Sequence, residues 1–420
     1  NLIEDLRWRG LLAQSTDEAA LLEALKKPTT LYVGFDPTAP SLHAGNLVVL
    51  LVLRRFQLAG HRPIALVGGA TGLVGDPSGR NEERTLNDES VVLEWVGNIK
   101  NQLSKFLDFE TKKNPAVMAN NLDWTKPVSA LEFLRDIGKH FSVNQMLAKD
   151  SVASRLESGG ISYTEFSYQV LQAFDYLELY RRDKCKLQLG GSDQWGNIVA
   201  GLDLIRKVEG GSAHAFTIPL MAKSDGSKFG KTAGGSVWLD PEMTSPYAFY
   251  QFWFNTEDAD VEKYLKVFSF KERSEIERLI ETVKSNPGAR QAQRELAREL
   301  TAMVHGSDQS EKVEAASSAL FGQGDLSALD EKTLTAALSQ LPKVTINKSE
   351  SFPTWVDLLA ATGVVESKSA ARRIVKENGA YLNNEKISGE DFAPSKEHLI
   401  HGRFLVLRKG KRDLASVEVV

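Results

Sequence analysis

The first third of the chain alternates short apolar strands with a strongly apolar helix, and this pattern constrains the fold most. Residues 30–35 and 64–67 have the composition of buried strands, and residues 47–58 between them are typical of a helix that ends at Gly60. Strand, helix and strand in this order form a parallel unit with a right-handed crossover. The sequence therefore predicts an α/β domain with a Rossmann-like parallel sheet, whose ligands bind at the carboxyl ends of the strands.

The length of the chain, 420 residues, exceeds that of one ordinary domain. A helical pattern runs from Ser245-Pro246 to about residue 321, and a basic helix with two short strands follows residue 352. We therefore predict an α/β domain over residues 1–236, an α-helical domain over 237–322, a linker over 323–351 and a small α+β domain over 352–420.

Composition excludes several classes of protein. The single cysteine, Cys185, rules out an internal disulfide and a multi-cysteine zinc site, and it fits a reducing cytoplasm. No apolar stretch approaches membrane-spanning length, and the first residues have no basic-then-apolar signal segment. The net charge of −4 gives no global sign of nucleic acid, so such a partner would need a local basic patch.

A histidine precedes the apolar helix, in the segment Pro40-Ser41-Leu42-His43-Ala44-Gly45-Asn46. We expect His43 in the first helical turn, where free N–H groups and the helix dipole favour a phosphate, and Gly45 allows a ligand to approach the backbone. A histidine there can also donate to charge that develops on phosphorus. Alone, the segment is better explained by a histidine that caps an ordinary buried helix.

Two lysines lie three residues apart in Lys228-Phe229-Gly230-Lys231-Thr232, which we call the lysine loop (residues 228–232). Two ammonium groups on a glycine-rich loop can close over a triphosphate and neutralise a leaving pyrophosphate. The order of residues is not that of a P-loop. Alone, the stretch is better explained by a solvated surface loop.

A polar stripe follows at helical spacing, because Tyr168, Gln172 and Asp175 fall at i, i+4 and i+7 on one helix face. A face with Tyr, Gln and Asp but no Lys or Glu suits a site that recognises an ammonium group and a hydroxyl. A helix that is exposed on that side explains the stripe equally well.

Glycine-rich turns follow two of the strands. The run Gly69-x-x-Gly72-x-x-Gly75 lacks the spacing of the dinucleotide fingerprint, and Asp76 after it places a carboxylate either in the cleft or in a turn. The run Gly190-Gly191-Ser192-Asp193-Gln194 offers close backbone approach, a carboxylate for a ribose and an amide donor, or again a turn. The sequence shows neither a serine–histidine–aspartate arrangement nor a paired-histidine metal motif, so we expect no metal held by protein side chains.

Taken in order, these residues resemble the bacterial tyrosyl-tRNA synthetases, a family of class I aminoacyl-tRNA synthetases. His43-Ala44-Gly45-Asn46 is similar to the family's His-Ile-Gly-His signature, and the lysine loop is similar to its Lys-Met-Ser-Lys-Ser loop. Either signature alone is degenerate, but the ordered set is highly specific. The similarity runs end to end and includes Tyr32-Val33-Gly34-Phe35-Asp36-Pro37-Thr38, Gly68-Gly69-Ala70-Thr71-Gly72, Gly138-Lys139-His140-Phe141-Ser142-Val143-Asn144, Thr164-Glu165-Phe166-Ser167-Tyr168 and residues 190–197.

The resemblance implies that L-tyrosine is activated with ATP, accompanied by Mg²⁺, to tyrosyl-adenylate and pyrophosphate, and that the tyrosyl group is transferred to the 3′ end of tRNA(Tyr). An amino-acid carboxylate is ionised at neutral pH and needs no general base. Positioning and charge stabilisation should therefore account for most of the catalysis. This agrees with a chain that offers lysines, amides and glycines but no evident nucleophile.

The resemblance also implies a role for each matching residue. The tyrosine contacts are Tyr32 and Asp175 for the phenol, Tyr168, Asp76 and Gln172 for the ammonium group, and Gln194 on the carboxylate side. The ATP contacts are Gly34, Asp36, Gly45, Asn46, Gly191, Asp193 and Lys231. The residues expected at the phosphates are Thr38 and His43 on the γ-phosphate side, Lys228 and Lys231 opposite them, and Arg80 and Arg84 in a mobile basic segment that approaches pyrophosphate.

The chain departs from the family pattern at a few positions. Asn46 stands where the signature often has a second histidine, and an asparagine can still donate to a ribose. Val33 and Val49 occupy positions that are polar in some members, so we expect fewer polar contacts to the nucleotide at these two positions. Phe229-Gly230 replaces Met-Ser in the lysine loop without removing either lysine.

The C-terminal residues 352–420 resemble the RNA-binding fold named after ribosomal small-subunit protein four. The implied phosphate contacts are Lys368, Arg372, Arg373, Arg408, Lys409, Lys411 and Arg412. In relatives the helical domain contacts the anticodon stem-loop, and the enzyme is a homodimer in which one tRNA crosses both subunits. We therefore expect a dimerisation insertion within residues 1–236.

Two competing interpretations follow from the same residues. Tryptophanyl-tRNA synthetase has the same fold, but Tyr32 with Asp175 and the C-terminal RNA-binding domain argue against it. An RNA-binding protein that has lost catalysis is the other, and the intact His43, Lys228 and Lys231 argue against that.

Overall fold

The computed structural model describes residues 1–78, 87–149, 152–153, 156, 160–232, 235–322, 324–348 and 351–420. The chain forms two compact units, which we call the first unit (residues 1–240 and 258–278) and the second unit (residues 241–257 and 279–420). Residues 258–278, which lie inside the predicted helical domain, therefore pack with the α/β part. The boundaries expected after residues 236, 322 and 351 stay predictions.

A six-stranded sheet forms the centre of the first unit, with the strand order β1-β6-β5-β2-β3-β4. Neighbouring strands are parallel except for β1, which pairs antiparallel to β6. The predicted Rossmann-like parallel sheet is thus confirmed. The strands are β1 Gln14–Ser15, β2 Thr30–Phe35, β3 Arg62–Val67, β4 Val117–Asn120, β5 Cys185–Gly191 and β6 His214–Ile218.

Helices cover this sheet, and a small hairpin of β7 Lys231–Thr232 and β8 Gly235–Ser236 lies beside it. The apolar helix of the sequence pattern begins with His43 as its N-cap, in a capping box with Asn46. The helices are α1 Leu2–Trp8, α2 Glu18–Ala24, α3 Ala44–Leu58, α4 Thr71–Val74, α5 Glu89–Leu103, α6 Leu122–Thr125, α7 Ala130–Glu132, α8 Val143–Leu147, α9 Tyr163–Asp183 and α10 Trp195–Glu209, with a π-helix at Phe133–Ile137 and 3₁₀ turns at Gly138–His140 and Ser192–Gln194.

A crevice opens between β2 and β5, where the order of strands reverses. From β2 the chain adds β3 and β4 on one side, and later adds β5 and β6 on the other. The β2–β5 ladder pairs Leu31 with Leu187 and Tyr32 with Gln188, and it does not continue beyond that rung. The carboxyl ends of the two strands are therefore free to diverge, which is the usual place for a ligand in such sheets.

The second unit contains further helices and a five-stranded sheet with the order β11-β10-β12-β13-β9. The helices from α11 onward are α11 Pro246–Phe254, α12 Asp258–Phe268 (which belongs to the first unit), α13 Arg273–Ser285 (of which residues 273–278 belong to the first unit), α14 Gln291–His305, α15 Ser307–Leu320, α16 Glu331–Leu338, α17 Trp355–Ala361 and α18 Lys368–Lys376, with 3₁₀ turns at Pro287–Ala289, Leu326–Ala328 and Lys396–His398. The strands are β9 Lys343–Ile346, β10 Ala380–Leu382, β11 Glu385–Lys386, β12 Phe404–Lys409 and β13 Asp413–Val419.

The stretch expected as a linker, residues 323–351, contains regular structure. It holds α16, and its strand β9 pairs parallel to β13 at the edge of the C-terminal sheet. The short strand Lys-Val-Thr-Ile has an ordinary β composition, but a parallel partner so far along the chain leaves no local signal in the sequence.

None of the helices in the described ranges combines the length and the apolar composition that crossing a membrane requires.

Candidate active site

A cavity of about 900 Å³ lies at the carboxyl ends of β2 and β5. It brings together every site residue predicted for tyrosine and ATP, although these residues come from distant parts of the sequence. Arg80 and Arg84 lie outside the described residues. The predicted residues that line the cavity are Tyr32, Gly34, Asp36, Thr38, His43, Gly45, Asn46, Asp76, Tyr168, Gln172, Asp175, Gly191, Asp193, Gln194, Lys228 and Lys231.

Asp175 is fixed at the deep end of the cavity by two hydrogen bonds. Its Oδ1 accepts from the indole Nε1 of Trp124 at 2.8 Å, and its Oδ2 accepts from Nδ2 of Asn121 at 2.9 Å. The side chain is almost completely buried, and burial raises the pKa of the carboxyl to about 7 although both hydrogen bonds oppose the shift. Each oxygen keeps a further lone pair, so the carboxylate can accept one more donor in a fixed direction.

Three buried polar atoms of the cavity have no hydrogen-bond partner within the described part of the chain. They are the phenolic Oη of Tyr32, Oε1 of Gln172 and Oε1 of Gln188, and all three side chains line the cavity. A buried polar atom that is left unpaired costs free energy, so native structures rarely keep one without a reason. A ligand with a hydroxyl and an ammonium group would satisfy all three.

Asp36 is held in the middle of the cavity by two hydroxyl groups. Tyr168 Oη donates to its Oδ2 at 2.6 Å, and Thr71 Oγ1 donates to its Oδ1 at 2.6 Å. Burial, and next the charge of Asp36, raise the pKa of Tyr168 well above its ordinary value, so the phenol stays a donor. These two bonds fix the direction of the carboxylate, and the hydroxyl of Tyr168 donates to it.

Asp76 completes a cluster of carboxylates near this point. It is 8% exposed, and its Oδ2 accepts from Nε2 of Gln194 at 2.6 Å. With Asp36 and Asp175, it makes the inner half of the cavity acidic. Such a site favours a cationic group such as an ammonium.

His43 also lines the cavity and is the N-cap of α3. Its Nδ1 accepts from the backbone N of Gly45 at 3.0 Å, so the neutral ring carries its proton on Nε2, which can donate. Burial, and next the charge of Lys231, lower the pKa of His43. The capping interpretation is thus correct, and it leaves the other ring nitrogen available for a phosphate.

The lysine loop rests against the same helix terminus. The carbonyl of Gly230 accepts from Val237 N at 2.9 Å, and the carbonyl of Val237 accepts from Ala44 N at 2.8 Å. Gly230 has φ of +77°, and a Cβ there would lie 3.2 Å from the backbone N of Gly45. The two motifs of the sequence therefore meet in space, with both lysines exposed at the wall of one cavity.

Sequence reasoning missed four side chains of the site: Thr71 and Gln188, which line the cavity, and Asn121 and Trp124, which hydrogen-bond Asp175. A signal for one of them exists, because Asn121 directly follows the short strand β4, and polar residues at the carboxyl end of a parallel strand are site candidates. Thr71 and Gln188 carry no such mark, since their role depends on what lies opposite them in the fold.

The basic residues of the C-terminal sheet and helix differ in their exposure. Arg408 is 8% exposed, its guanidinium lies 3.9 Å from the ring centroid of Tyr381, and its Nη1 donates to the carbonyl of Gly410. Lys411 and Arg412 are exposed, and Lys409 is partly so. Lys368, Arg372 and Arg373 are exposed on α18, where ion pairs join the first two to Asp357 and Glu390.

No group of histidine, cysteine, aspartate and glutamate side chains in the described part of the chain is arranged to hold a metal ion.

The cavity lies where the strand order of a parallel sheet reverses, and both the helix capped by His43 and the lysine loop contribute to its lining. This is the arrangement of the catalytic domain of a class I aminoacyl-tRNA synthetase. The model of the family described as "tRNA synthetases class I (W and Y)" matches residues 24–322. A second model, "Tyrosine--tRNA ligase SYY-like C-terminal domain", matches residues 333–417. The chain belongs to the tyrosine–tRNA ligase family, as the resemblance predicted.

Individual relatives agree with this assignment. The chain is 61% identical to the tyrosine–tRNA ligase of Streptomyces coelicolor over 100% of this chain and 99% of that protein. It is 60% identical to the tyrosine–tRNA ligase of Streptomyces avermitilis over the same shares. Among solved structures, a C-terminally truncated mitochondrial tyrosyl-tRNA synthetase of Aspergillus nidulans is similar with a TM-score of 0.69 and 32% identity, over 76% of this chain and 94% of that one.

Proposed function

We propose that this cavity activates L-tyrosine with ATP to form tyrosyl-adenylate and pyrophosphate, and that the protein then transfers the tyrosyl group to the 3′ end of tRNA(Tyr). Tyrosine–tRNA ligation is the activity of the family to which the chain belongs. One observation carries the assignment of this step to the cavity. A single cavity joins an acidic inner end containing Tyr32 and Asp175 to an outer end that contains His43, Lys228 and Lys231.

The inner end fits the side chain and ammonium group of tyrosine. The substrate phenol donates to Asp175 and accepts from Tyr32 Oη, which gives that buried hydroxyl a partner. The ammonium group is held by Asp76, with Gln172 Oε1 as an acceptor and Tyr168 acting through Asp36. Gln194, which is oriented by Asp76, lies on the carboxylate side.

This arrangement explains selection against phenylalanine. Without the hydroxyl, Tyr32 Oη would stay unpaired and Asp175 would face an apolar ring edge. A site built to hydrogen-bond a hydroxyl rejects the analogue that lacks it, and tyrosyl-tRNA synthetases are themselves the standard case of this effect. Trp124 and Asn121 contribute by fixing the direction of the Asp175 lone pairs.

The outer end fits the phosphates of ATP, which enters with Mg²⁺ as part of the substrate. The tyrosine carboxylate oxygen forms a bond to the α-phosphorus, the bond from that phosphorus to the bridging oxygen breaks, and its electron pair leaves with pyrophosphate. No proton has to move, so the enzyme acts by stabilising charge. The remaining ATP contacts are proposed at Gly34, Asp36, Gly45, Asn46, Gly191 and Asp193.

His43 and Thr38 on one side and Lys228 and Lys231 on the other act on the charge that builds up on the departing phosphates. The Nε2–H of the neutral His43 donates a hydrogen bond, and the two ammonium groups neutralise pyrophosphate. Arg80 and Arg84 have the same role by resemblance.

The second unit is proposed to bind tRNA. The exposed residues Lys411 and Arg412 and the exposed face of α18 supply phosphate contacts, whereas the buried Arg408 supports the strand that carries them. The helical residues 237–322 are proposed to contact the anticodon stem-loop, as in relatives. A cytoplasmic location fits substrates such as tRNA and ATP, and it fits the free, buried Cys185.

We also propose a homodimer formed through the insertion between β4 and β5. Apolar side chains are exposed there, with Leu131 at 81%, Leu134 at 54%, Val143 at 59% and Tyr163 at 74%. Such a patch marks an interface in a water-soluble protein.

Val143→Glu should shift the sedimentation coefficient from dimer to monomer, whereas Leu58→Glu, at an equally exposed leucine of α3, should not. A monomeric wild type would reject the dimer.

Tyrosine-dependent exchange of pyrophosphate with ATP, measured in parallel with tryptophan, tests the proposed function. Exchange with tyrosine and not with tryptophan is the expected result. Exchange with tryptophan alone would indicate the tryptophanyl enzyme. An absence of exchange with either amino acid, together with retained tRNA binding, would indicate an RNA-binding protein without catalysis.

A further inference from the structure

Helix α12 holds the stretch that leads into the lysine loop. Its Asp260 is 5% exposed, and its Oδ1 accepts from the backbone N of Ser224 at 2.9 Å while its Oδ2 accepts from Ser224 Oγ at 3.2 Å. Lys263 Nζ on the same helix donates to the carbonyl of Ala222 at 3.0 Å. Residues 222–224 are thereby tied to α12, a few residues before the first lysine.

Phe229 ties the lysine loop itself to α12. It is only 8% exposed although it lies between the two exposed lysines. Its ring centroid is 5.1 Å from that of Tyr264 in an edge-to-face arrangement and 5.3 Å from that of Phe268 in a stacked one. Aromatic pairs of this geometry stabilise beyond the area they bury. Lysines alone would suffice for a loop that only attracts phosphate, so the buried ring points to a fixed loop position.

Helix α12 is in turn clamped to α3. Arg55, in the last turn of α3, donates through Nη2 to the carbonyl of Ser269 at 2.6 Å. Arg9 donates to the same carbonyl at 2.9 Å and to that of Lys266 at 2.9 Å. These carbonyls lie at the C-terminal end of α12, where unpaired acceptors and the helix dipole favour a cation.

One rigid element therefore positions both sides of the phosphate end. His43 is the N-cap of helix α3, and Arg55 lies in the last turn of the same helix. Through Arg55 it fixes α12, and through α12 it fixes the stretch that carries Lys228 and Lys231. On the opposite side, Gly230 packs against Gly45 of the same helix.

We propose that α12 is the support of the lysine loop, and that Phe229 and Asp260 are positioning residues which orient Lys228 and Lys231 toward the cavity. The inference rests on the proposed role of these lysines in adenylate formation. The two middle residues of the lysine loop then have different roles. The phenylalanine anchors the loop to α12, and the glycine permits contact with α3.

Five variants of the whole 420-residue chain test this proposal, four at the two anchors and one control, with wild type for reference. Phe229→Ala and Asp260→Ala remove the two anchors. Phe229→Met refills the apolar gap, and Asp260→Asn keeps an acceptor for Ser224 N and offers a donor to Ser224 Oγ, so both conservative changes should rescue the anchor. Phe404→Ala, a buried phenylalanine of β12 in the second unit, controls for a general loss of packing.

The first readout is trypsin cleavage of the unliganded protein, with the cut sites identified by mass spectrometry. Both alanine variants should be cut faster than wild type after Lys228 or Lys231, whereas Phe229→Met, Asp260→Asn and Phe404→Ala should not. The second readout is pyrophosphate exchange. Since a misplaced catalytic group can cost roughly a hundredfold, kcat should fall roughly ten- to a hundredfold in the alanine variants, with tyrosine affinity within about twofold of wild type.

The outcomes separate this inference from the proposed function. Unchanged exchange in both alanine variants, or an equal loss in the alanine and conservative variants, would overturn the positioning role. A normal exchange rate in Lys231→Ala would instead reject the catalytic role of the loop. If Phe229→Ala does not fold, the comparison of Asp260→Ala with Asp260→Asn decides alone.

Discussion

Tyr32 and Gln188 are paired across the last rung of the β2–β5 ladder, and each ends in a buried polar atom that no other described residue hydrogen-bonds. The two strands separate immediately beyond this pair, so the rung is the floor of the cavity. A polar floor at the point where the sheet opens explains how a largely apolar strand pair recognises a hydroxyl-bearing amino acid. It also leads directly to a test.

Tyr32→Phe removes the hydroxyl proposed to contact the substrate phenol. Because no described residue of the chain hydrogen-bonds that atom, its loss should not lower the free energy of unfolding. The dissociation constant of tyrosine should rise roughly three- to tenfold, as expected for one hydrogen bond, while the KM of ATP stays unchanged.

Tyr176→Phe is the matched control, because Tyr176 Oη already donates to the carbonyl of His214 and does not line the cavity. This change should cost about 1 kcal/mol of stability and leave tyrosine binding intact. Equal tyrosine affinity in Tyr32→Phe and wild type, measured by calorimetry, would contradict the proposed phenol contact.

Trp124→Phe should weaken discrimination between tyrosine and phenylalanine. The indole donates to Asp175, and without it the carboxylate loses one of the two bonds that fix its direction. The ratio of kcat/KM for tyrosine to that for phenylalanine in pyrophosphate exchange should fall by roughly tenfold or more, the size expected for a hydrogen bond to a charged group. Trp355→Phe removes a comparable bond, to the carbonyl of Tyr381 in the second unit, and should leave the ratio unchanged.

Tyrosine affinity should depend on pH near neutrality. Burial raises the pKa of Asp175 to about 7. The carboxylate that accepts the hydrogen bond from the phenol is therefore increasingly protonated as the pH falls through that value. The dissociation constant of tyrosine should therefore rise between about pH 8 and about pH 6, with little change for ATP. His43 does not interfere, since its pKa is lowered and it stays neutral across most of this range. A flat profile for tyrosine would show that Asp175 is not the acceptor.

Replacement of Lys411 and Arg412 together by alanine should affect tRNA and not tyrosine. Both side chains are exposed beside β12, so their loss should raise the KM of tRNA and reduce the salt dependence of tRNA binding by roughly one unit of slope per lost phosphate contact. Pyrophosphate exchange should stay unchanged. Lys26→Ala, at an exposed lysine of the first unit, serves as control, and an equal effect of both replacements on tRNA would reject a specific patch.

The sequence predicted the parts of the fold whose signals are local. The strand at residues 30–35, the helix ended near Gly60 and the basic helix after Ser367 each have composition or capping patterns that the structure reproduces. The strand β9 was missed, because its partner β13 lies far along the chain. The sequence also did not predict that α12 belongs to the first unit. Arg9 and Arg55 donate to backbone carbonyls at the end of α12, and a backbone acceptor leaves no pattern in the sequence.

The candidate site divides in a similar way. His43, the two loop lysines and Asp175 became candidates because their spacings, taken together, resemble the signatures of a known family. Trp124 and Gln188 were not, because a tryptophan or a glutamine in a strand or short helix is typical of an ordinary core. Only the fold shows that one faces Asp175 and the other the open floor of the cavity.

A single cavity is proposed to bind tyrosine at one end and to stabilise the departing phosphates at the other. Single-turnover adenylate formation by Lys231→Ala, with tyrosine affinity measured on the same preparation, tests it most directly. The rate at saturating substrates should fall by roughly a hundredfold, as when one group that stabilises transition-state charge is removed, while tyrosine affinity stays within about twofold of wild type. Losses of equal size in rate and in tyrosine affinity, or an unchanged rate, would contradict it.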